Sequence, residues 1–143
     1  MPSTNHVQLT AEDRADLEAS RDWVKGHFTE AADQKYQPVS GKLRVIGAVL
    51  DNRWVETAET WKLQSLGIAL GDALAQELLL EWVVVDDEFG RSVALNWPGT
   101  SIYSFPMTMI SKRIERGETV DVYQLFETTC FELRDLAFSG RSV

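Results

Sequence analysis

The sequence has little of what catalysis in a small protein usually requires. It contains one cysteine, Cys130, and two histidines, His6 and His27. A lone cysteine cannot close an internal disulfide, and these side chains are too few for a Cys/His zinc site. Serine and cysteine nucleophiles usually depend on a neighbouring histidine base. His6 lies near the chain terminus and His27 beside a helical stripe, so neither is placed for that role. No Gly-x-Ser-x-Gly elbow and no Ser-x-x-Lys pair occurs. Gly41-Lys42 lacks the glycine-rich loop of a phosphate-binding motif. Neither a metal nor a cofactor is expected.

Positive charge is also scarce. Lys and Arg number 14 against 22 Asp and Glu, a formal charge of −8. Such a field repels phosphate backbones, which argues against nucleic acid as a partner. Long apolar runs are missing too. The longest uncharged apolar stretch in a candidate helix, Leu63 to Gly71, is far short of the ~20 residues of a membrane span. Met1 to Gln8 has neither a cationic n-region nor an apolar core, so no secretory signal is expected. These absences point to a soluble cytoplasmic protein that does not enter a membrane.

What is present is a globular composition, 44% hydrophobic and 25% charged. One domain is expected over residues 9–138, with loose ends at 1–8 and 139–143. Thr10 with Asp13 resembles a capping box that opens a first helix with Leu17, Val24, Phe28 and Ala31 on one face. Ser40 is placed to cap a second helix carrying Leu43, Ile46, Gly47 and Leu50. A third helix runs from about Glu56 to Leu80, with the stripe Leu63, Leu66, Gly67, Leu70, Leu74 and Leu78. Its small residues Gly67, Gly71 and Ala73 allow another backbone to approach closely.

The period then changes. Trp82-Val83-Val84-Val85, a turn at Asp86 to Gly90, alternation over Ser92 to Trp97 and a further run at Ile102 to Phe105 predict an antiparallel three-stranded meander. Pro106 suits the start of a helix carrying Met107, Ile110 and Ile114, with Gly117 at its end. Asp121 with Gln124 opens a last helix, whose inward residues are Val122, Leu125, Phe126, Thr129, Leu133 and Leu136. The expected class is α+β: N-terminal helices, the small meander, then two C-terminal helices.

Several of these segments, taken in order, resemble the domain of unknown function DUF3806. They are Leu66-Gly67-x3-Gly71-Asp72, Trp82 to Gly90, Ala94-Leu95, and Phe105 to Glu118. The resemblance spans residues 66–126. It implies a bacterial origin and a small α+β domain, and it implies no activity and no functional residues. The first 60 residues lie outside it.

Four residues are candidates for ligand or partner contact: Asp72, Trp82, Asp86 and Arg113. Asp86-Asp87-Glu88 gathers carboxylates on one turn, but the spacing to Gly90 and Trp97 does not match a calcium loop, so a solvated turn is expected. Arg113 stands in the densest basic cluster, Lys112-Arg113-x2-Arg116, at the edge of an apolar stripe. It is expected to pair with Asp72, Asp86, Asp87 or Glu88, or to hold an anionic ligand. Of five tryptophans, Trp61, Trp82 and Trp97 are expected in the core, while Trp23 and Trp54 are available as interface anchors. The preferred reading is a binding module without catalysis: an adaptor, a regulator or an immunity-like protein, facing a protein partner or a second copy. The alternative is a hydrolase or transferase using a carboxylate plus Arg113 in a cleft between the third helix and the sheet. A deep pocket collecting Asp72, Asp86 and Arg113 would favour the enzyme. A flat, Trp-bearing acidic surface would favour the binder.

Overall fold

Local signals set most element boundaries. The computed structural model describes residues 6–139. The chain begins with a short strand, β1 (His6–Val7), and enters helix α1 (Ala11–Lys25) behind Thr10. The expected box is present: the Thr10 hydroxyl accepts from the Asp13 amide, and the Asp13 carboxylate accepts from the Thr10 amide. The helix stops at Gly26, so Phe28 and Ala31 lie beyond it rather than on its stripe. A short helix, α2 (Ala32–Tyr36), follows and was not signalled by any periodicity. Helix α3 (Val39–Asp51) begins behind Pro38, which takes the cap position expected of Ser40. A Cβ on Gly41 would lie 1.7 Å from the Lys35 carbonyl oxygen, so only glycine lets α3 fold back this tightly on α2.

Helix α4 (Thr60–Leu78) is the centre of the fold. Its whole predicted stripe is buried, and so are Ile68, Ala69 and Ala73 on its other sides. A helix apolar over so much of its circumference must be covered from several directions. Helices from both halves of the chain pack around it. Leu79, at φ 58°, then turns the backbone through the left-handed region into the sheet.

Strands β2 (Glu81–Asp87) and β3 (Gly90–Asn96) form a hairpin closed by Glu88 and Phe89, with Gly90 at φ 118°. Strand β4 (Tyr103–Ser104) pairs with β3, and β1 pairs with the other edge of β2. The sheet is therefore four-stranded and antiparallel, in the order β1-β2-β3-β4. This corrects the three-stranded meander. His6 and Val7, expected to be loose, stand opposite Val85 and Val84. Residues 1–5 and 140–143, which make up the rest of the ends expected to be loose apart from Gln8 and Ser139, lie outside the described residues.

The alternation in β3 assigns Ala94 and Asn96 to a wet face, yet both are buried. The second face of the sheet is covered. Val83, Val85 and Ala94 form a small cluster packed under Tyr103, whose hydroxyl is hydrogen-bonded to His6 Nδ1 at 2.7 Å. Asn96 satisfies its buried amide by donating to the Thr100 and Ile102 carbonyls.

Pro106 opens a 3₁₀ turn (Pro106–Thr108) that leads into α5 (Met109–Glu115). Gly117, at φ 78°, follows that helix. Asp121 caps α6 (Val122–Phe138) by accepting from the Tyr123 and Gln124 amides. The class is α+β. Among the described residues, no helix is long and apolar enough to cross a membrane.

Gly67 and Gly71 let two elements touch the α4 backbone. A Cβ on Gly67 would lie 2.4 Å from the Met107 carbonyl oxygen and 2.5 Å from that of Pro106. Since backbone atoms cannot give way cheaply, Gly67→Ala should cost about 2 kcal/mol or more. A Cβ on Gly47 in α3 would instead make ordinary contacts with Val122 and Tyr123 at 3.7 and 3.8 Å. Gly47→Ala should therefore stabilise by about 0.5–1 kcal/mol. Urea denaturation of both variants checks the two opposite signs. Indistinguishable midpoints would refute the close approach at Gly67.

Candidate functional site

Asp72 projects from α4 into the space between α1, α2 and β2, where it collects donors from all three. Arg21 grips it through both oxygens, Nε donating to Oδ2 at 2.6 Å and Nη2 to Oδ1 at 2.9 Å. The Tyr36 hydroxyl donates to Oδ2 at 2.7 Å, and Trp82 Nε1 donates to Oδ1 at 3.0 Å. A carboxylate taken from water into such a place must be paired and hydrogen-bonded, and this one is. Burial first, and then the neighbouring Asp72 charge, push the Tyr36 hydroxyl far above its ordinary range, so it stays a donor. Lys42 lies against the Tyr36 ring, 4.8 Å from its centroid, and donates to the Gln37 carbonyl and to Gln76 Oε1, each at 2.6 Å. Burial lowers its pKa. Among the described residues, no buried side-chain polar atom is left without a partner.

The structure thus joins two of the four sequence candidates, Asp72 and Trp82, and separates them from the other two. The Trp82 indole lies over Gly71, whose added Cβ would come within 2.5 Å of the ring. The ring covers Gly71, while a cavity of about 440 Å³ lies between α1, α4 and β3, lined by Asp13, Trp61, Gln64, Ile68 and Arg91. The cleft of the alternative reading is thus present between the third predicted helix and the sheet, but Asp72, Asp86 and Arg113 do not line it. Sequence reasoning missed Arg21 and Tyr36. One signal for Arg21 was available: it stands four residues after Leu17 and three before Val24, at the edge of the buried face of α1. Tyr36 carried no signal, because its short helix has no readable period.

Asp86 is exposed on β2, opposite Arg91 in the ladder. Arg91 clamps Asp13, with Nη1 donating to Oδ1 at 2.7 Å and Nη2 to Oδ2 at 2.6 Å. The N-terminal box of α1 is thereby fastened to the hairpin. The Arg91 hydrogen bonds, reinforced by the Thr10 amide, hold the Asp13 carboxyl well below its usual range. The Asp87 carboxylate accepts from the Phe89 amide, which makes the acidic segment an ordinary turn.

The expected pairing of Arg113 with a carboxylate is not found. Its Nη1 donates to the Met109 carbonyl, one turn back, at 2.8 Å. Asp72 is already saturated by other donors, and Asp86 lies on the hairpin. Arg113 instead lines a groove of about 450 Å³ between α5, α6 and β4, which neither Asp72 nor Asp86 lines. Cys130 is buried, and burial raises its thiol pKa, as suits a core side chain rather than a nucleophile. Among the described residues, no three His, Cys, Asp or Glu side chains converge to hold a metal ion.

Aromatic side chains gather where α1 ends and α4 begins. His27 stacks on Trp54 at 6.0 Å, Trp23 meets His27 edge-on at 4.6 Å, and Trp61 meets Trp23 edge-on at 6.2 Å. Trp61 was expected in the core, but it is 51% exposed, and Trp54 is 54% exposed. Position 61 precedes the buried stripe that begins at Leu63, which turns its indole outward.

The sequence and the fold place the chain among known proteins. The family model for the domain of unknown function DUF3806 matches residues 42–126. That is more than half of the chain, and the chain belongs to this family. The match begins before residue 66 and takes in most of α3. A crystal structure of a protein from Bacteroides thetaiotaomicron VPI-5482 has the same fold, with a TM-score of 0.69 at 14% identity over 87% of this chain. The chain spans 46% of that protein's length. No curated protein matches the chain.

Two outcomes follow from the electrostatics. Asp72→Asn removes the main partner of the Arg21 guanidinium, whose side chain is 22% exposed, and leaves it the longer contact with Glu18 at 3.4 Å. Its cost should fall at the lower end of the roughly 3–5 kcal/mol typical of a broken buried pair. Trp82→Phe, which removes one donor of several, should cost about 2 kcal/mol. Chemical denaturation measures both, and an Asp72→Asn loss below that of Trp82→Phe would contradict the ranking. For Asp13, a depressed folded-state pKa adds stability above the ordinary carboxylate value of about 4, and this is lost as pH falls below it. The melting-temperature gap between wild type and Asp13→Asn should therefore narrow steadily below about pH 4. A gap that stays constant under acid would disprove the linkage.

Proposed function

We propose that this bacterial protein is a cytoplasmic binding module that acts without catalysis, and that its partner is another protein docking on the aromatic row. The observation that carries this reading is the pair of half-exposed indoles, Trp54 and Trp61, at the two ends of the row Trp54–His27–Trp23–Trp61. Tryptophan is enriched among the anchors that dominate protein interfaces, because a large rigid ring buries much apolar area at little entropic cost. Trp23 and His27 are half-buried and brace the outer rings from behind. The row is thus held in place before any partner arrives, which lowers the ordering cost of association.

The dispersal of the chemical candidates supports binding over catalysis. The carboxylate best placed for work, Asp72, has its oxygens filled by donors of the protein itself. The buried thiol Cys130 is wrapped in core residues.

A photocrosslinking residue, p-benzoylphenylalanine, placed at position 54 or 61 tests the proposal in cells that naturally express the protein. We expect adducts of defined mass from those two positions and none from the exposed position Glu127 on α6. An adduct at twice the chain's mass would identify the partner as a second copy. Trp54→Ser with Trp61→Ser should abolish association while leaving the protein folded, at a cost of about 1–3 kcal/mol for the two lost ring contacts. Identical patterns at 54, 61 and 127, or no adduct at any of them, would refute the docking role.

A further inference from the structure

The groove beside Arg113 is a cationic feature in an acidic protein. Acidic residues outnumber basic ones by 22 to 14, so partners for a surface cation are plentiful. Yet among the described residues Lys112 and Arg113, both lining the groove, meet no carboxylate. Arg113 spends a single N–H on the Met109 carbonyl, at 2.8 Å. That bond anchors the guanidinium and leaves the rest of its fork unengaged, an arrangement suited to a planar, two-oxygen acceptor. The third cation of the groove, Arg116, is occupied by Glu118 at 3.2 Å. The one acid among the lining residues, Glu132 on α6, is exposed and makes no ion pair with either free cation.

The body of the groove is apolar. Phe105, 42% exposed, stands on one side, and Met109, Leu125, Leu133 and Leu136 line the floor. Its volume, about 450 Å³, lies within the range of small-molecule sites. A second cavity of about 210 Å³ meets the first at Arg113, Leu125 and Thr128 and is bounded by Glu118 and Asp121. Those acids disfavour an anion at that end and leave the Lys112–Arg113 side as the seat of negative charge.

We infer that this groove is a binding site for a small amphipathic monocarboxylate, with its apolar body along Phe105, Met109 and Leu136 and its carboxylate on the free fork of Arg113, assisted by Lys112. The groove is built from α5, α6 and β4 and shares no residue with the aromatic row, so the inference does not rest on the docking proposal.

Calorimetric titration with decanoate below its micellar concentration tests it. Acetate serves as the head without the tail, and decyltrimethylammonium as the tail with the opposite head. Decanoate should give a saturable single-site isotherm, and both controls should bind at least about tenfold more weakly, as one charge-assisted interaction implies. Arg113→Gln should weaken decanoate by about tenfold, and Arg113→Lys by less, since it keeps the charge and loses the fork. Should Arg113→Gln fail to fold, Lys112→Glu on the exposed rim carries the same expectation. Amide shifts in NMR spectra should concentrate in 103–116 and 125–136. Decanoate that does not saturate, a cationic control that binds equally well, or shifts centred on Trp54 and Trp61 would each overturn the inference.

Discussion

A carboxylate on the central helix has to be neutralised before anything else can close over it. Asp72 sits on the helix around which both halves of the chain pack, and the elements beside it arrive as hydrogen-bond donors. Arg21 comes from α1, Tyr36 from α2 and Trp82 from β2. Each donor has a fixed reach, so together they fix the separation and tilt of three elements about α4. Gly71 makes the arrangement feasible by removing the Cβ that would otherwise strike the Trp82 ring. The adjacent residues Gly71 and Asp72 act as one device: the first makes room for the indole, and the second holds its N–H.

The device crosses the boundary of the family match. Asp72, Gly71 and Trp82 lie within residues 42–126, whereas Arg21 and Tyr36 precede them. Helices α1 and α2 are therefore not an appendage to the family domain. They supply the cation and the hydroxyl that the Asp72 carboxylate requires, and α1 is fastened a second time where Asp13 meets Arg91 on β3. Removing them would leave a half-buried carboxylate with the Trp82 indole as its remaining donor.

The same constraint shapes where function can lie. Groups that would suit chemistry are consumed in holding the fold: Asp72 by its donors, Lys42 by Gln37 and Gln76, and Cys130 by the core. What the fold leaves unspent are surfaces. Among them are the aromatic row where α1 ends and α4 begins, and the groove between α5 and α6 that Lys112 and Arg113 line. The groove draws on elements that Asp72 does not hold, whereas the row includes Trp23 on α1, two residues from the Arg21 that Asp72 grips.

The sequence by itself determined most of the elements and the central apolar stripe of the core. The apolar stripe from Leu63 to Leu78, the cap at Thr10, the turn at Gly90 and the starts at Pro106 and Asp121 are all local signals, because helical periodicity, caps and positive φ are properties of a few adjacent residues. The α+β class and the family followed from their order. Tertiary structure decided the partnerships. Arg113 and Arg21 both stand at the edge of an apolar helical face, and nothing local tells which will meet Asp72. That depends on which helix packs against α4 at that level. Likewise His6 and Val7 carry too short a pattern to read as a strand, and they become one because the edge of β2 offers unpaired backbone groups. The burial of Ala94 and Asn96, against their alternation, depends on Tyr103 and the loop at 97–102. Long-range pairing between residues tens of positions apart leaves no period in the sequence, and that is why the site's second half was not legible there.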